Sequence, residues 1–257
     1  MAVDSVYEEM LSKVRELIEK LRKVWADMVN GVNHVLDSMP GFLGAAIKQA
    51  SDWCAEKVVE VFTVITDLLA KEGSASALRT VAESWNEQVG HRASTQAGLL
   101  VKEQLDTDND WTGPAADRYS EAVTSQNRAL AQIKAITENL QNTLNEIASA
   151  MTSFWSAVGV AVGGYMILMA ACIGGIASGV GTIPGLAGVT GFSVALLTTL
   201  NTCSHNFANT LEEKKTKIDQ MSTMDSQFTN GTWPSAVTDQ MSDASVKDGD
   251  KSDWTVK

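Results

Sequence analysis

Residues 119–154 read YSEAVTSQNRALAQIKAITENLQNTLNEIASAMTSF, and the spacing of their apolar side chains decides the fold. Tyr119, Val123, Gln126, Leu130, Ile133, Thr137, Leu140, Leu144, Ile147, Met151 and Phe154 follow alternating steps of four and three, and nine of these eleven are apolar. That is the periodicity of a helix in a bundle or coiled coil. At 1.5 Å per residue such a helix is a rod of roughly 50 to 60 Å. The stripe, with Val123, Leu130, Ile133, Leu140, Leu144 and Ile147 at its centre, is read as a face that packs within the molecule or on a partner.

Just upstream, NDWTGPAADRY (residues 109–119) has the composition of a tight turn between two helices. Gly113 can leave helical geometry, and Pro114 suits the first position of the next helix, where its missing N–H is not needed. Asp117 lies in the first turn, near the positive end of the helix dipole. Ala115 and Ala116 permit close approach of a neighbouring helix. Trp111 is the large apolar plug expected to pin the two arms.

At Trp111-Thr112-Gly113, with Ala115, Ala116 and Tyr119 following, the sequence resembles the Trp-x-Gly hairpin of the WXG proteins, small helical substrates of type VII (ESX-type) secretion. With an apolar region downstream, it is most similar to the larger ESX secretion-associated proteins of actinobacteria. The resemblance covers roughly residues 75–155 and implies a hairpin clamped by Trp111, Gly113, Pro114, Ala116 and Tyr119. It implies as partners another helical, WXG-like protein or a second copy, and the type VII machinery. Members of the family often carry a Tyr-x-x-x-Asp/Glu export signal. Here Tyr7, Tyr119 and Tyr165 are followed four positions on by Leu11, Val123 and Met169. Either a partner supplies the signal or the chain is not a free-standing substrate.

The same helical spacing governs the N-terminal third. Val3, Tyr7, Met10, Val14, Leu17, Leu21, Val24, Met28 and Val35 form one stripe, and Met39-Pro40-Gly41 ends it. A second helix, from about residue 42 to 72, is expected to turn Leu43, Ile47, Trp53, Val58, Val61, Phe62, Ile65 and Leu68 inward. A third, from about residue 75 to 105, is interrupted by Gly90 and Gly98.

Downstream of the rod, no Asp, Glu, Lys or Arg occurs from Ile147 to Leu211. Within that span lie two apolar blocks, residues 154–177 and 183–200, joined by SGVGT ahead of Pro184. The first satisfies the ~20 residues needed to cross a bilayer, and the second comes close. Gly159 with Gly163, and Gly175 with Gly179, have the small-xxx-small spacing that brings helices together. This order of rod, apolar hairpin and rod also resembles, in layout alone, that of helical pore-forming toxins.

A formal charge of −11, with basic residues dispersed among acids, argues against nucleic-acid binding. Cys54, Cys172 and Cys203 lie far apart and read as small buried residues. His34, His91 and His205 are scattered, SGVGTIPG has no P-loop lysine, and DTDND (residues 106–110) lacks EF-hand spacing. No catalytic residue, metal or cofactor is therefore expected. The first residues mix acids and bases instead of forming an apolar leader, so a secreted or cell-envelope location would be reached by a route independent of a signal peptide.

The expected protein is all-α: an elongated helical bundle built on a Trp-x-Gly helical hairpin, with an apolar glycine-rich insert and a disordered C-terminal tail. Its segments are amphipathic N-terminal helices (1–73), the WXG-like hairpin (74–153), the apolar hairpin (154–200), a C-terminal helix (201–228) and a flexible acidic tail (229–257). Two functions follow as expectations. One is a non-enzymatic type VII secretion-associated protein acting by helix–helix packing. The other is a membrane-inserting or pore-forming protein whose 154–200 hairpin meets a lipid bilayer.

Overall fold

The computed structural model describes residues 2–38, 40–101, 114–223, 227–228 and 232–234. Among these the chain is all-α and contains no strand. The helices are α1 (Ala2–Ser38), α2 (Gly41–Leu69), α3 (Ala75–Trp85), α4 (His91–Leu99), α5 (Pro114–Ala177) and α6 (Thr182–Thr223), with a π-helical turn at Asn86–Gly90 joining α3 to α4. Boundaries fall where the backbone is forced to turn. Pro40 separates α1 from α2, and Gly73 (φ 69°) and Gly179 (φ 74°) take the left-handed conformation after α2 and α5. The expected rod and the first apolar block form one continuous helix, α5.

The chain divides into two compact units. The first comprises Met1–Ser76 and Ile147–Glu212. It therefore holds α1, α2 and the apolar hairpin together, whereas composition alone had set the hairpin apart as its own segment. Side-chain neighbours fix the helix directions. A Cβ placed on Gly159 would meet Val14 at 3.4 Å, one on Gly163 would meet Leu17 at 3.9 Å, and one on Gly31 would meet Ile176 at 4.0 Å. Numbers rise together along both helices, so α1 runs parallel to α5. Helix α2 runs antiparallel to α1: Arg22 lies over the Phe62 ring at 5.6 Å, one guanidinium nitrogen of Arg15 donates to both carboxylate oxygens of Glu72 at 2.6 and 2.7 Å, and the Tyr7 hydroxyl donates to the Glu72 carbonyl at 2.6 Å. Helices α5 and α6 are antiparallel as well, with Phe154 stacked on Phe207 at 5.1 Å. Two hairpins thus lie side by side with their turns towards the same end.

Burial in this unit follows the predicted helical spacing. Tyr7, Val14, Leu21 and Met28 on α1, and Ile47, Val58, Val61 and Ile65 on α2, are buried. Trp53 is a correction: it is exposed, and its neighbour Cys54 takes the inward position instead. Steps of seven, four, three and four from Ile47 lead to Cys54, Val58, Val61 and Ile65, a phase that leaves residue 53 on the flank.

The second unit comprises Ala77–Glu146 and Glu213–Lys257. Here the π turn and α4 lie along the first half of α5. Val123 and Leu130 of the predicted stripe are buried, while Ile133, Leu140 and Leu144 are half-buried, as is Ile147 at the start of the other unit. Smaller residues, Ala122, Ala129, Thr137 and Thr143, take innermost positions. The two threonine hydroxyls are satisfied within their own helix. Thr137 donates to the Ile133 and Lys134 carbonyls, and Thr143 to that of Asn139 at 2.8 Å. Opposite Thr137 sits Gly90, where a Cβ would collide with the threonine hydroxyl. Asn127 ties α4 to α5 by donating to the carbonyls of Ala97 (2.7 Å) and Leu100 (3.0 Å). Of the expected C-terminal tail, only 232–234 is described. Pro234 accepts a hydrogen bond from Gln126 at 3.4 Å, and Trp233 lies 5.8 Å from Phe228.

Candidate functional site

The apolar hairpin is the feature that most departs from an ordinary soluble bundle. Helices α5 and α6 are each long and apolar enough to cross a membrane. The core helix of a soluble protein can be equally long and apolar, but it is mostly buried. Here just 22% of the most apolar window of α5 and 39% of that of α6 are buried. Val160 is 76% exposed and Ile167 68% exposed, with Leu168, Ile183 and Val194 also at the surface.

These residues fall on continuous outward stripes. On α5, Ala157, Val160, Gly164, Ile167, Ala171 and Gly174 are all exposed at steps of three or four. On α6, Ile183, Ala187, Gly191 and Val194 continue the pattern. The inward stripes of the same helices carry Trp155, Val158, Val162, Met169, Leu186 and Leu200, all buried. Both faces of each helix are therefore apolar, which is the composition of a segment apolar all round and not of an amphipathic surface helix. In the same unit the outward faces of α1 and α2 carry the charges, among them Glu9, Lys13, Glu16, Lys20 and Glu60.

Several polar side chains in and beside the hairpin find partners close by. Tyr165 and Ser193 share a buried hydrogen bond of 2.7 Å, and Ser193 also donates to the Val189 carbonyl. Thr190 donates to Leu186, and Thr152 to Ala148. Thr198, Thr199 and Thr202 are exposed, yet each hydroxyl donates back to the carbonyl four residues earlier at 2.9 Å. A hydroxyl that is satisfied inside its own helix does not need water, the condition that hydrocarbon imposes on any polar group.

A charged cluster marks the end of the apolar run. Glu146 receives Lys214 at 3.1 Å and Lys217 at 3.5 Å, and Lys215 pairs with Asp219 at 3.4 Å. The hydrogen bond from Lys214, reinforced by the charges of Lys214 and Lys217, holds the Glu146 carboxyl below its ordinary value. Hydrogen bonds to Glu213 and Glu146 correspondingly raise that of Lys214.

Of the anticipated clamp, Trp111 and Gly113 lie outside the described residues. Pro114 opens α5, and Ala116 and Tyr119 are half-buried in its first turns. The four glycines read as packing positions have separate roles. Gly159 and Gly163 face α1 side chains with ordinary van der Waals room, Gly175 faces the Gly181 carbonyl at 3.7 Å, and Gly179 makes the turn. The closest approaches in the hairpin are at Gly181, where a Cβ would stand 2.5 Å from the Gly175 carbonyl oxygen, and at Gly185, where one would stand 2.6 Å from Ile176 and 3.1 Å from the Cys172 carbonyl. Gly185 and Gly188 on α6 follow Gly181 of the turn at helical spacing, a signal present in the sequence. His34, His91 and His205 are exposed, and among the described residues no three His, Cys, Asp or Glu side chains come together as a metal site. No protein-family model, curated protein or solved structure matches the chain.

Proposed function

We propose that the protein is a non-enzymatic helical protein that engages a lipid bilayer through its 154–200 hairpin. One observation carries this reading: the outward faces of both hairpin helices are apolar and uncharged, while the helices sharing their unit are charged outside. Water contact with Val160, Ile167 and Leu168 is unfavourable, and moving a side chain of that size fully into hydrocarbon gains about 1.5 to 3 kcal/mol. A contiguous exposed apolar surface on a soluble protein is the usual mark of a protein or membrane contact. The length of each helix and the self-satisfied hydroxyls favour the membrane.

Flotation with phosphatidylcholine vesicles tests it. The wild-type chain is expected to rise with the vesicles and to release an entrapped dye. Ile167→Asp places a charge on an exposed position, so it should leave helicity intact while abolishing flotation. A wild-type chain that stays at the bottom of the gradient would overturn the proposal.

A second reading, type VII secretion association through helix–helix pairing, is favoured by the hairpin of the second unit. Asn127 bridges α4 to α5, and α5 opens at Pro114 directly after the Trp-Thr-Gly stretch. Its partner would be another WXG-like protein or a second copy. It predicts protein in the medium or envelope that disappears when the type VII ATPase is deleted, and an unchanged distribution would count against it. The two readings are compatible, since the residues that carry them belong to different units.

A further inference from the structure

The turn that closes the apolar hairpin is built differently from the other glycine turn in its unit. At the end of α2, Gly73 takes its left-handed conformation beside Lys71 and Glu72, and the Glu72 carboxylate is held by Arg15. At the end of α5 the same device, Gly179, sits in Ser178-Gly179-Val180-Gly181, with no Asp, Glu, Lys or Arg anywhere from Ile147 to Leu211. Val180 at this apex is 94% exposed, and Ile183 behind it is 46% exposed. A surface turn addressed to water ordinarily carries Asn, Asp or Ser beside its glycines, with no large apolar residue at the apex. This one has valine at its tip.

Several of its backbone groups are also bonded within the turn. The Ser178 N–H donates to the Gly175 carbonyl and the Gly179 N–H to that of Ile176, each at 3.2 Å. Ser178 Oγ donates to the Gly175 carbonyl at 2.6 Å and accepts from the Gly181 N–H at 3.1 Å. Thr182 Oγ1 reaches the Ile176 carbonyl at 3.0 Å and that of Gly179 at 2.9 Å, and the Gly185 N–H continues the ladder to Gly181 at 2.8 Å. The Gly175 and Ile176 carbonyls near the end of α5 are thus met by two hydroxyls and by N–H groups of the turn. Helix ends usually rely on water for such groups, and in hydrocarbon each unmet one is costly.

We infer that this apex, residues 178–183 with Val180 foremost, is the leading point of the hairpin into the hydrocarbon of a bilayer. Insertion is tip-first, with α5 and α6 following and the Glu146–Lys214–Lys217 cluster remaining at the aqueous side. The inference rests on the membrane reading above and adds a direction and a depth to it. The bilayer is favoured over an apolar protein partner because both helices behind the tip are long and apolar enough to cross it, and no Asp, Glu, Lys or Arg interrupts residues 147–211.

The test uses the full chain carrying Cys54→Ala, Cys172→Ala and Cys203→Ala, with Val180→Cys or Val160→Cys labelled by an environment-sensitive fluorophore. Phosphatidylcholine vesicles are added with a nitroxide quencher either near the headgroup or deep in the acyl chains. A blue shift at 180, quenched more by the deep nitroxide than the label at 160, is the expected result. Response at 160 without response at 180 means that the hairpin lies flat, which overturns tip-first insertion and leaves the membrane reading standing. No response at either overturns both. Val180→Asp in the otherwise native chain provides a check free of the cysteine changes. Because residue 180 is almost fully exposed, helicity should be unchanged, and vesicle partitioning should weaken about tenfold or more. Unaltered partitioning would overturn the inference.

Discussion

Gly90 and Thr137 show how much of this fold depends on single residues. Gly90 closes the π turn, and a Cβ there would collide with the Thr137 hydroxyl and stand 3.2 Å from its Cβ. Gly90→Ala should therefore destabilise the second unit by about 1 to 3 kcal/mol, the usual cost of overpacking. Thr137→Ala removes the worst collision but leaves the Cβ contact, so the double variant should recover most of the loss. A double-mutant cycle by urea denaturation reads this coupling directly. Strictly additive costs would mean that the two residues do not touch. Gly90 was legible as an interruption of the third helix, since glycine is a poor helix former. The π turn and the buried threonine were not, because a one-residue change in helical winding leaves the apolar spacing almost unaltered. Trp53 failed for a related reason: spacing of three and four fits neighbouring phases nearly equally well, and size alone favoured the tryptophan over Cys54.

Among the elements, α5 and α6 were the most legible. Glycine and proline punctuation placed their turn at 178–182, and the turn observed lies between Ala177 and Thr182. The continuous passage of the rod into the apolar block was not foreseen, since a change of composition does not itself break a helix. At the charged boundary of that block, the Glu146 cluster makes a prediction about pH. Its carboxyl is depressed below the ordinary 4.5, so its stabilising contribution is complete above that value and is lost as pH falls through the depressed one. The effect is small, because the pair is partly exposed and screened by water and salt. Acid titration of thermal stability below about pH 4.5 should be measurably shallower in Glu146→Gln than in the native chain. Identical profiles would show that Lys214 and Lys217 do not hold the carboxylate in solution.

For the whole molecule, the all-α class was readable from periodicity, but which helices share a unit was not. An apolar stripe says that a helix needs a partner without naming it, and α1 and α2 prove to share theirs with the apolar hairpin. Net charge offers a different kind of prediction. At −11 the chain is repelled by an anionic surface, and its nearest basic cluster is already engaged: Lys214 and Lys217 with Glu146, Lys215 with Asp219. Bilayer contact driven by apolar residues should then be nearly independent of salt on neutral phosphatidylcholine vesicles. On vesicles containing phosphatidylglycerol it should strengthen as salt rises, because screening shortens the reach of the repulsion to about 10 Å at 0.1 M and about 3 Å at 1 M. Partitioning measured by flotation across that range gives the sign of the slope. Binding that weakens with added salt would mean that lysines steer the protein to lipid headgroups, and the uncharged face of the hairpin would lose its claim to be the driving contact.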